Sequence, residues 1–260
     1  VNSTAVSDYI SNWLKDYCTK ARCKGFVVGI SGGIDSAVTS VLCANTGLDV
    51  TLLEMPIHQH KTQVSRAERH IDLMVEKYPN VSRQSVELTN VFDTLVAALP
   101  PAPDLEMLNL GLANTRARLR MTALYYFAGI EGKLVAGTGN KIEDFGVGFF
   151  TKYGDGGVDL SPIADLTKTQ VYELGRELDI IEEIMVAAPT DGLWGDDRSD
   201  EDQLGATYPE LEWAMEFVGD ETSISDRQKT VLSIFRRLNA ANQHKMIPIP
   251  VCVIPEFLKK

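Results

Sequence analysis

The sequence is poor in cysteine, and its four (Cys18, Cys23, Cys43 and Cys252) are scattered with no CxxC pair. That excludes a disulfide framework and argues against a structural zinc site. Positive charge is also in short supply: 25 Lys and Arg stand against 36 Asp and Glu, a formal net charge of −11. A protein that holds nucleic acid through its phosphates needs a basic footprint, so no nucleic-acid partner is expected. No apolar run is long enough to cross a bilayer, and the N-terminus lacks the basic and apolar regions of a signal peptide. No membrane partner is therefore expected, and the expected compartment is the cytoplasm. Internal repeats and low-complexity tracts are absent as well. What remains, 44% apolar and 23% charged residues in a chain of 260, is ordinary globular composition with enough length for a sizeable core. In so acidic a chain a nucleotide ligand would need cations gathered locally, so the positions of Lys and Arg carry information.

Val6, Ile10, Trp13, Leu14 and Tyr17 recur at helical spacing and predict a first amphipathic helix. The run GFVVGI, Gly25–Ile30, reads as a strand buried on both faces, with a helix over Ile34–Ala44 after a glycine turn. The alternation then repeats: strand Val50–Met55, helix Thr62–Tyr78, strand Arg83–Leu88, helix Asn90–Leu99. Pro100, Pro101 and Pro103 break the chain before a long helix, about 104–129, and Lys133–Gly137 gives a fourth strand. This order predicts an α/β fold, a parallel sheet with helices on both faces and ligands beyond the carboxyl ends of the strands. Later, Thr167 and Gln170 form a capping-box pattern for a helix over Lys168–Leu178. Pro189–Asp202, with six acids and two glycines, reads as an exposed loop, and Asp226–Ala241 as a helix. The expected organisation is one unit over 1–260, with the helix of 1–20 packed on it and a helical tail over 222–260.

The most informative segment follows the first strand: Gly29, Ile30, Ser31, Gly32, Gly33, Ile34, Asp35 and Ser36. Glycines let bare N–H groups approach an anion, and the next helix brings its unpaired N–H groups to the same spot. Asp35 would repel a phosphate unless it holds a Mg²⁺ that bridges to it. The segment is neither a Walker A loop nor a nucleophile elbow, since GK[ST] and GxSxG are both missing. A plain capped glycine turn is the bland alternative, and two serines with an aspartate in this strand–turn–helix setting weigh against it.

Three other segments carry chemistry. NTRARLR, Asn114–Arg120, sets three arginines within five residues of the long helix, and an arginine facing a ligand offers planar bidentate donors. GTGNKIE, Gly137–Glu143, begins at a strand end, where Thr138 offers a donor to a nucleotide and Glu143 a second carboxylate for Mg²⁺. FFTKYGDGGVD, Phe149–Asp159, places Lys152, Asp155 and Asp159 around glycines, which a bare turn does not explain. Lys168 opens a predicted helix; alone it reads equally as a solvated first-turn residue. His58 and His60 without a third ligand read as solvated rather than metal-binding.

SGGIDS resembles the signature of the N-type ATP pyrophosphatases, which split ATP between the α and β phosphates. With FTKYGDGG and the other segments in the same order, the likeness from about Gly25 to Lys245 narrows to the ammonia-dependent NAD synthetases. The resemblance implies the adenine nucleotide alpha hydrolase-like fold. It implies that Gly29–Ser36, Thr138, Lys168 and Thr190 contact ATP, that Asp35 and Glu143 hold Mg²⁺, and that Asp35, Lys168 and Asp155 are catalytic, with Asp155 near the ammonia site. Arg118, Lys152, Asp159, His244 and Lys245 would contact deamido-NAD, and a homodimer is expected. Two departures stand out: Met246 replaces an arginine of the family's His-Lys-Arg tail, and the stretch between Glu143 and Phe149 is one residue longer than in some members, which leaves Asp144 as an alternative to Glu143. On this reading the carboxylate of deamido-NAD is adenylated and ammonia then displaces AMP. The chain has no room for an amidase domain, so free ammonia is the expected donor, with a separate glutaminase subunit as the alternative source. Two rivals are another pyrophosphatase of the purine or tRNA-modifying kind and a non-catalytic nucleotide binder. The loop at Pro189–Asp202, with Trp194, reads either as a lid or as a solvated acidic segment.

Overall fold

The computed structural model describes residues 2–59, 61–190 and 199–259. Four strands form one parallel sheet: β1 (Gly25–Gly29), β2 (Asp49–Glu54), β3 (Val81–Ser85) and β4 (Leu134–Val135), in the order β3-β2-β1-β4. Phe26 of β1 is in register with Val50 on one side and Leu134 on the other. β4 is short, and a bridge from Ala136 to Leu160 continues its line. The central strand is apolar on both sides because both sides are covered: Phe26, Val27 and Val28 are fully buried.

On one face α1 (Ser3–Lys20), α2 (Ile34–Asn45), α3 (Lys61–Lys77) and α6 (Lys168–Glu177) meet Val28, Val50 and Leu52 through Leu14, Val38, Ile71 and Leu174. On the other, α4 (Thr89–Ala98) and α5 (Leu105–Glu131) cover Val27, Leu53 and Val135 with Phe92 and Ala128. α5 starts where the Asp104 side chain accepts from Met107 N and stops at Gly132, whose φ of 69° ends the helix. A third apolar cluster joins a π-helix (Ile142–Val147) to α9 (Tyr208–Glu216) and α10 (Asp226–Met246) through Ile142, Leu211, Val231 and Leu232. No described helix is long and apolar enough to cross a membrane.

The expected alternation of strands and helices is present, with three corrections. β3 begins at Val81, two residues before the expected Arg83, because ladder pairing starts there with Val50↔Val81. The last helix runs to Met246 rather than Ala241, since Asn239 and Asn242 use their amides to hold the π-helix and so fix further turns of α10. The expected loop ends early: Asp200–Leu204 is α8, capped by Ser199 and Asp202 in a reciprocal box, and Asp200 is buried rather than exposed. A short α7 (Glu182–Met185) precedes it.

Candidate active site

From β1 the sheet grows through β2 and β3 in one direction, and the chain then returns to place β4 on the other side of β1. Such a switch in strand order opens a crevice at the carboxyl ends of β1 and β4. Gly29–Ser36 follows β1 and Thr138 follows β4, and both line one cavity there. Gly32 has a φ of 80°, which glycine adopts without strain. Ser31 Oγ accepts from Gly33 N (3.2 Å) and lies 3.1 Å from Ser36 Oγ, so the two serines pin the turn to the start of α2. Gly33, the N-cap, supplies no side-chain cap, which leaves the first turn of α2 to an anion. Arg66 of α3 donates to Gly32 O at 3.4 Å and lines the same cavity, a cation the sequence reading did not single out.

The centre of the cavity is a buried ionic cluster. Lys168 opens α6 after the Thr167–Gln170 capping box and is 3% exposed, not a solvated first-turn residue. Its Nζ donates to Asp35 Oδ2 at 2.5 Å and to Glu143 Oε1 at 3.1 Å. Burial alone would lower the Lys168 pKa, but the charges of Asp35 and Glu143 outweigh it and raise it, so the amine stays protonated. Asn140, fully buried, donates to Asp35 Oδ1 at 3.2 Å, while its own Oδ1 accepts from Ile142 N and Glu143 N. One amide thus caps the π-helix and orients a carboxylate. Tyr208, 3% exposed, donates from its hydroxyl to Glu143 Oε1 at 2.6 Å and lies 3.3 Å from Asp200 Oδ2. Its ring faces Lys168 Nζ at 4.7 Å. Asn140, Tyr208 and Asp200 were missed as site residues; only the Asn-Lys within GTGNK offered a signal for the first.

Glu143 and Asp144 are adjacent on the π-helix but point to different partners. Glu143 shares the Lys168 amine with Asp35, whereas Asp144 turns toward Gly139, where a Cβ would meet its carboxylate. Burial, then Glu143, Asp155 and Asp35, push the Asp144 carboxyl up to about 8. Asp155 lines the cavity and accepts from Thr151 N at 2.9 Å. Thr190 lines it as well; His60 and Trp194 lie outside the described residues. His58 is tied to Asp93 at 2.7 Å.

A second group forms a strap beside the cavity. Arg118 donates twice to Lys152 O at 3.3 Å, Lys152 Nζ donates to His244 O at 2.6 Å, and Lys245 Nζ donates to Phe150 O at 2.7 Å. Burial lowers the Lys245 pKa. Arg118, Lys152, His244 and Lys245 are thereby drawn together from α5, the glycine-rich segment and α10. Asp159 stands apart, accepting from Tyr125 OH at 3.0 Å and from Val135 N at 2.8 Å. Arg116 stacks on Phe92 at 4.4 Å, and Arg120, held by Met55 O and Gln59, lines the cavity.

A parallel sheet with an open helix end beyond its first strand, and a carboxylate one residue into that helix, is the architecture of the adenine nucleotide alpha hydrolase type. A family model described as NAD synthase matches residues 6–247, so the chain belongs to the NAD synthase family and is a ligase of NAD biosynthesis. An NH3-dependent NAD+ synthetase of Carboxydothermus hydrogenoformans is 36% identical over 246 residues, covering 94% of this chain and 96% of the relative. One from Mycoplasma genitalium is 37% identical over 238 residues, covering 91% of this chain and 90% of its own. Among solved structures, an NMN synthetase from Francisella tularensis superposes with a TM-score of 0.84 at 31% identity, covering 99% of this chain and all of that one.

Proposed function

We propose that this ligase uses ATP and ammonia to convert deamido-NAD to NAD, with AMP and pyrophosphate as the other products. The observation that carries the reading is the Lys168 amine held between Asp35 and Glu143 at the open end of α2. Two carboxylates that can share one ammonium are close enough to share one small cation. Among the described residues no three His, Cys, Asp or Glu side chains converge as a metal cage. Two carboxylates completed by phosphate oxygens and water suit Mg²⁺, and Asp35 and Glu143 would hold it. When bound, that ion supplies charge stabilisation to the departing pyrophosphate.

The chain's own groups do the rest. The backbone of Gly29–Ser36, with Thr138, Lys168 and Thr190, holds the triphosphate, and N–H donors at the α2 terminus face its charge. A carboxylate oxygen of the acceptor attacks the α phosphorus, the bond to the β-phosphate oxygen breaks, and an acyl-adenylate forms. Arg118, Lys152, His244 and Lys245 hold one part of the acceptor, and Asp159, which stands apart from them, contacts another. Asp155 draws in ammonium and takes a proton, leaving neutral ammonia to attack the acyl carbon as AMP departs. Leu105, Met107 and Leu110 of α5, and Val91 and Leu99 in and just after α4, are exposed apolar side chains and support a homodimer through α4 and α5.

A second reading concerns the length of the acceptor. The Francisella relative is an NMN synthetase, which favours a deamidated mononucleotide as an alternative acceptor. One assay separates the two. The protein is incubated with ATP, Mg²⁺, ammonium and equal deamido-NAD and nicotinate mononucleotide, and the amidated products and AMP are measured. NAD appearing with equimolar AMP supports the first reading, preferential NMN the second, and ADP instead of AMP sinks both.

A further inference from the structure

The Lys168 amine lies where the two carboxylates assigned to the metal converge, 2.5 Å from Asp35 and 3.1 Å from Glu143. It is held there from several sides. Its backbone is fixed at the first residue of α6 by the Thr167–Gln170 box, and its Nζ faces the Tyr208 ring at 4.7 Å. Asn140 and Tyr208 in turn fix the carboxylates. Only one cation fits between these oxygens, because a second charge there would face the first at contact distance in a water-poor site. Lys168 also lines the cavity beside the open end of α2, so a triphosphate at that end offers its amine a new anion within a few torsions.

We propose that Lys168 is the resting counter-ion of the metal site: it holds Asp35 and Glu143 together in the nucleotide-free enzyme and yields to a divalent cation only when the triphosphate arrives to receive its amine. The inference rests on the assignment of Asp35 and Glu143 as the metal carboxylates. It makes Lys168 a gate on the order of binding as well as a phosphate ligand. Free metal is kept out, and the carboxylates are pre-shaped for the ion without leaving buried charge uncompensated, which is costly.

The test is Mn²⁺ titration of the whole chain followed by electron paramagnetic resonance of the free ion, with no turnover involved. Four samples are compared: wild type alone, wild type with α,β-methylene-ATP, Lys168→Met alone, and Asp35→Asn with the analogue. Wild type alone should bind Mn²⁺ at least 10-fold more weakly than Lys168→Met alone, because the variant leaves two carboxylates seeking a cation. Equal affinities in those two samples overturn the proposal. If the analogue confers the same Mn²⁺ affinity on wild type and Asp35→Asn, the carboxylate assignment itself is wrong, a separate failure. Should Lys168→Met be unfolded in chelator, circular dichroism decides. Refolding on Mn²⁺ addition supports the gate, and a chain that stays unfolded at every Mn²⁺ concentration shows Lys168 to be a structural ion-pair partner instead.

Discussion

Tyr208→Phe isolates a single hydroxyl. The ring stays, and with it the packing against the α9–α10 cluster and the face presented to Lys168 at 4.7 Å. What is lost is the 2.6 Å donation to Glu143 and the contact with Asp200. Tyr208 and Asp200 are both at most 5% exposed, so water has little access to replace the missing donor. A hydrogen bond to a buried charged group contributes roughly 1.5–3 kcal/mol, and an acceptor left without its donor forfeits most of that. For a chain of this length a 2 kcal/mol loss lowers Tm by roughly 4–8 °C. The functional effect differs in kind: Glu143 becomes free to follow Lys168, so the arrangement of the two carboxylates loosens. The kcat should fall about 10- to 100-fold, about 1.4–2.7 kcal/mol of transition-state energy, while KM for the acceptor changes little. Thermal melts and steady-state kinetics on the same preparations measure both. Tyr208→Leu, which also removes the ring, should be worse in Tm than Tyr208→Phe. A Phe variant with wild-type Tm and wild-type kcat would refute the reasoning, since the hydroxyl would then be neither structural nor positioning.

Three further outcomes follow from particular residues. Asp35→Asn should fold normally by circular dichroism and lose at least about 10²-fold in AMP-forming turnover, the scale of a missing electrostatic group; near-normal rates would remove Asp35 from the metal. His70, buried with its Nε2 2.8 Å from Ser40 Oγ, has its pKa pushed down by burial to about 4. Because its folded pKa lies below the unfolded value near 6.5, stability is fully present above about pH 6.5 and is lost as pH falls toward 4, about 3 kcal/mol in all. His70→Gln should flatten that slope in urea melts taken between pH 7 and 4, and an unchanged slope would exclude His70 as its source. Gly148 ends the π-helix at a φ of 65°, and a Cβ there would strike Asn242. Gly148→Ala should cost roughly 2 kcal/mol or more, seen as a lower urea midpoint.

Where one chemical pattern was enough, the sequence led to the right place. GFVVGI is apolar on both faces and sits at the centre of the sheet, and the glycine-serine turn after it opens the cavity. The Thr167–Gln170 box sets the start of α6, and with it Lys168. What escaped was anything decided by distant parts of the chain. The extra residue between Glu143 and Phe149 leaves Glu143 and Asp144 as alternatives in the sequence; it lies in the stretch that forms the π-helix, whose wider turn aims Glu143 at Lys168 and Asp144 at Gly139. Asp200 looked like one acid among six in a solvated loop, and only the fold shows it buried beside Tyr208. Tyr208 itself follows a strong local signal, the Thr207–Glu210 box of α9. Nothing local, however, says that its hydroxyl crosses 65 residues of sequence to reach Glu143.

The C-terminal helix ties these pieces together. π-helices leave backbone carbonyls poorly served, and here α10 serves them: Asn239 Nδ2 donates to Gly146 O at 2.7 Å and Asn242 Nδ2 to Val147 O at 2.8 Å. The same helix receives Lys152 at His244 O and sends Lys245 to Phe150 O, so it braces both the carboxylate-bearing turn and the glycine-rich segment. Replacing Asn239 and Asn242 together by Ala should therefore do more than destabilise. Each lost bond costs on the order of 1 kcal/mol, and because the two share one helix face their sum will not be strictly additive. The telling measurement is amide hydrogen exchange: protection across Ile142–Val147 should fall while β1 and β2 keep theirs, and turnover should fall with it. Uniform loss of protection across the sheet would mean that α10 merely stabilises the whole molecule, and unchanged protection in the π-helix would mean that its geometry belongs to the local sequence after all.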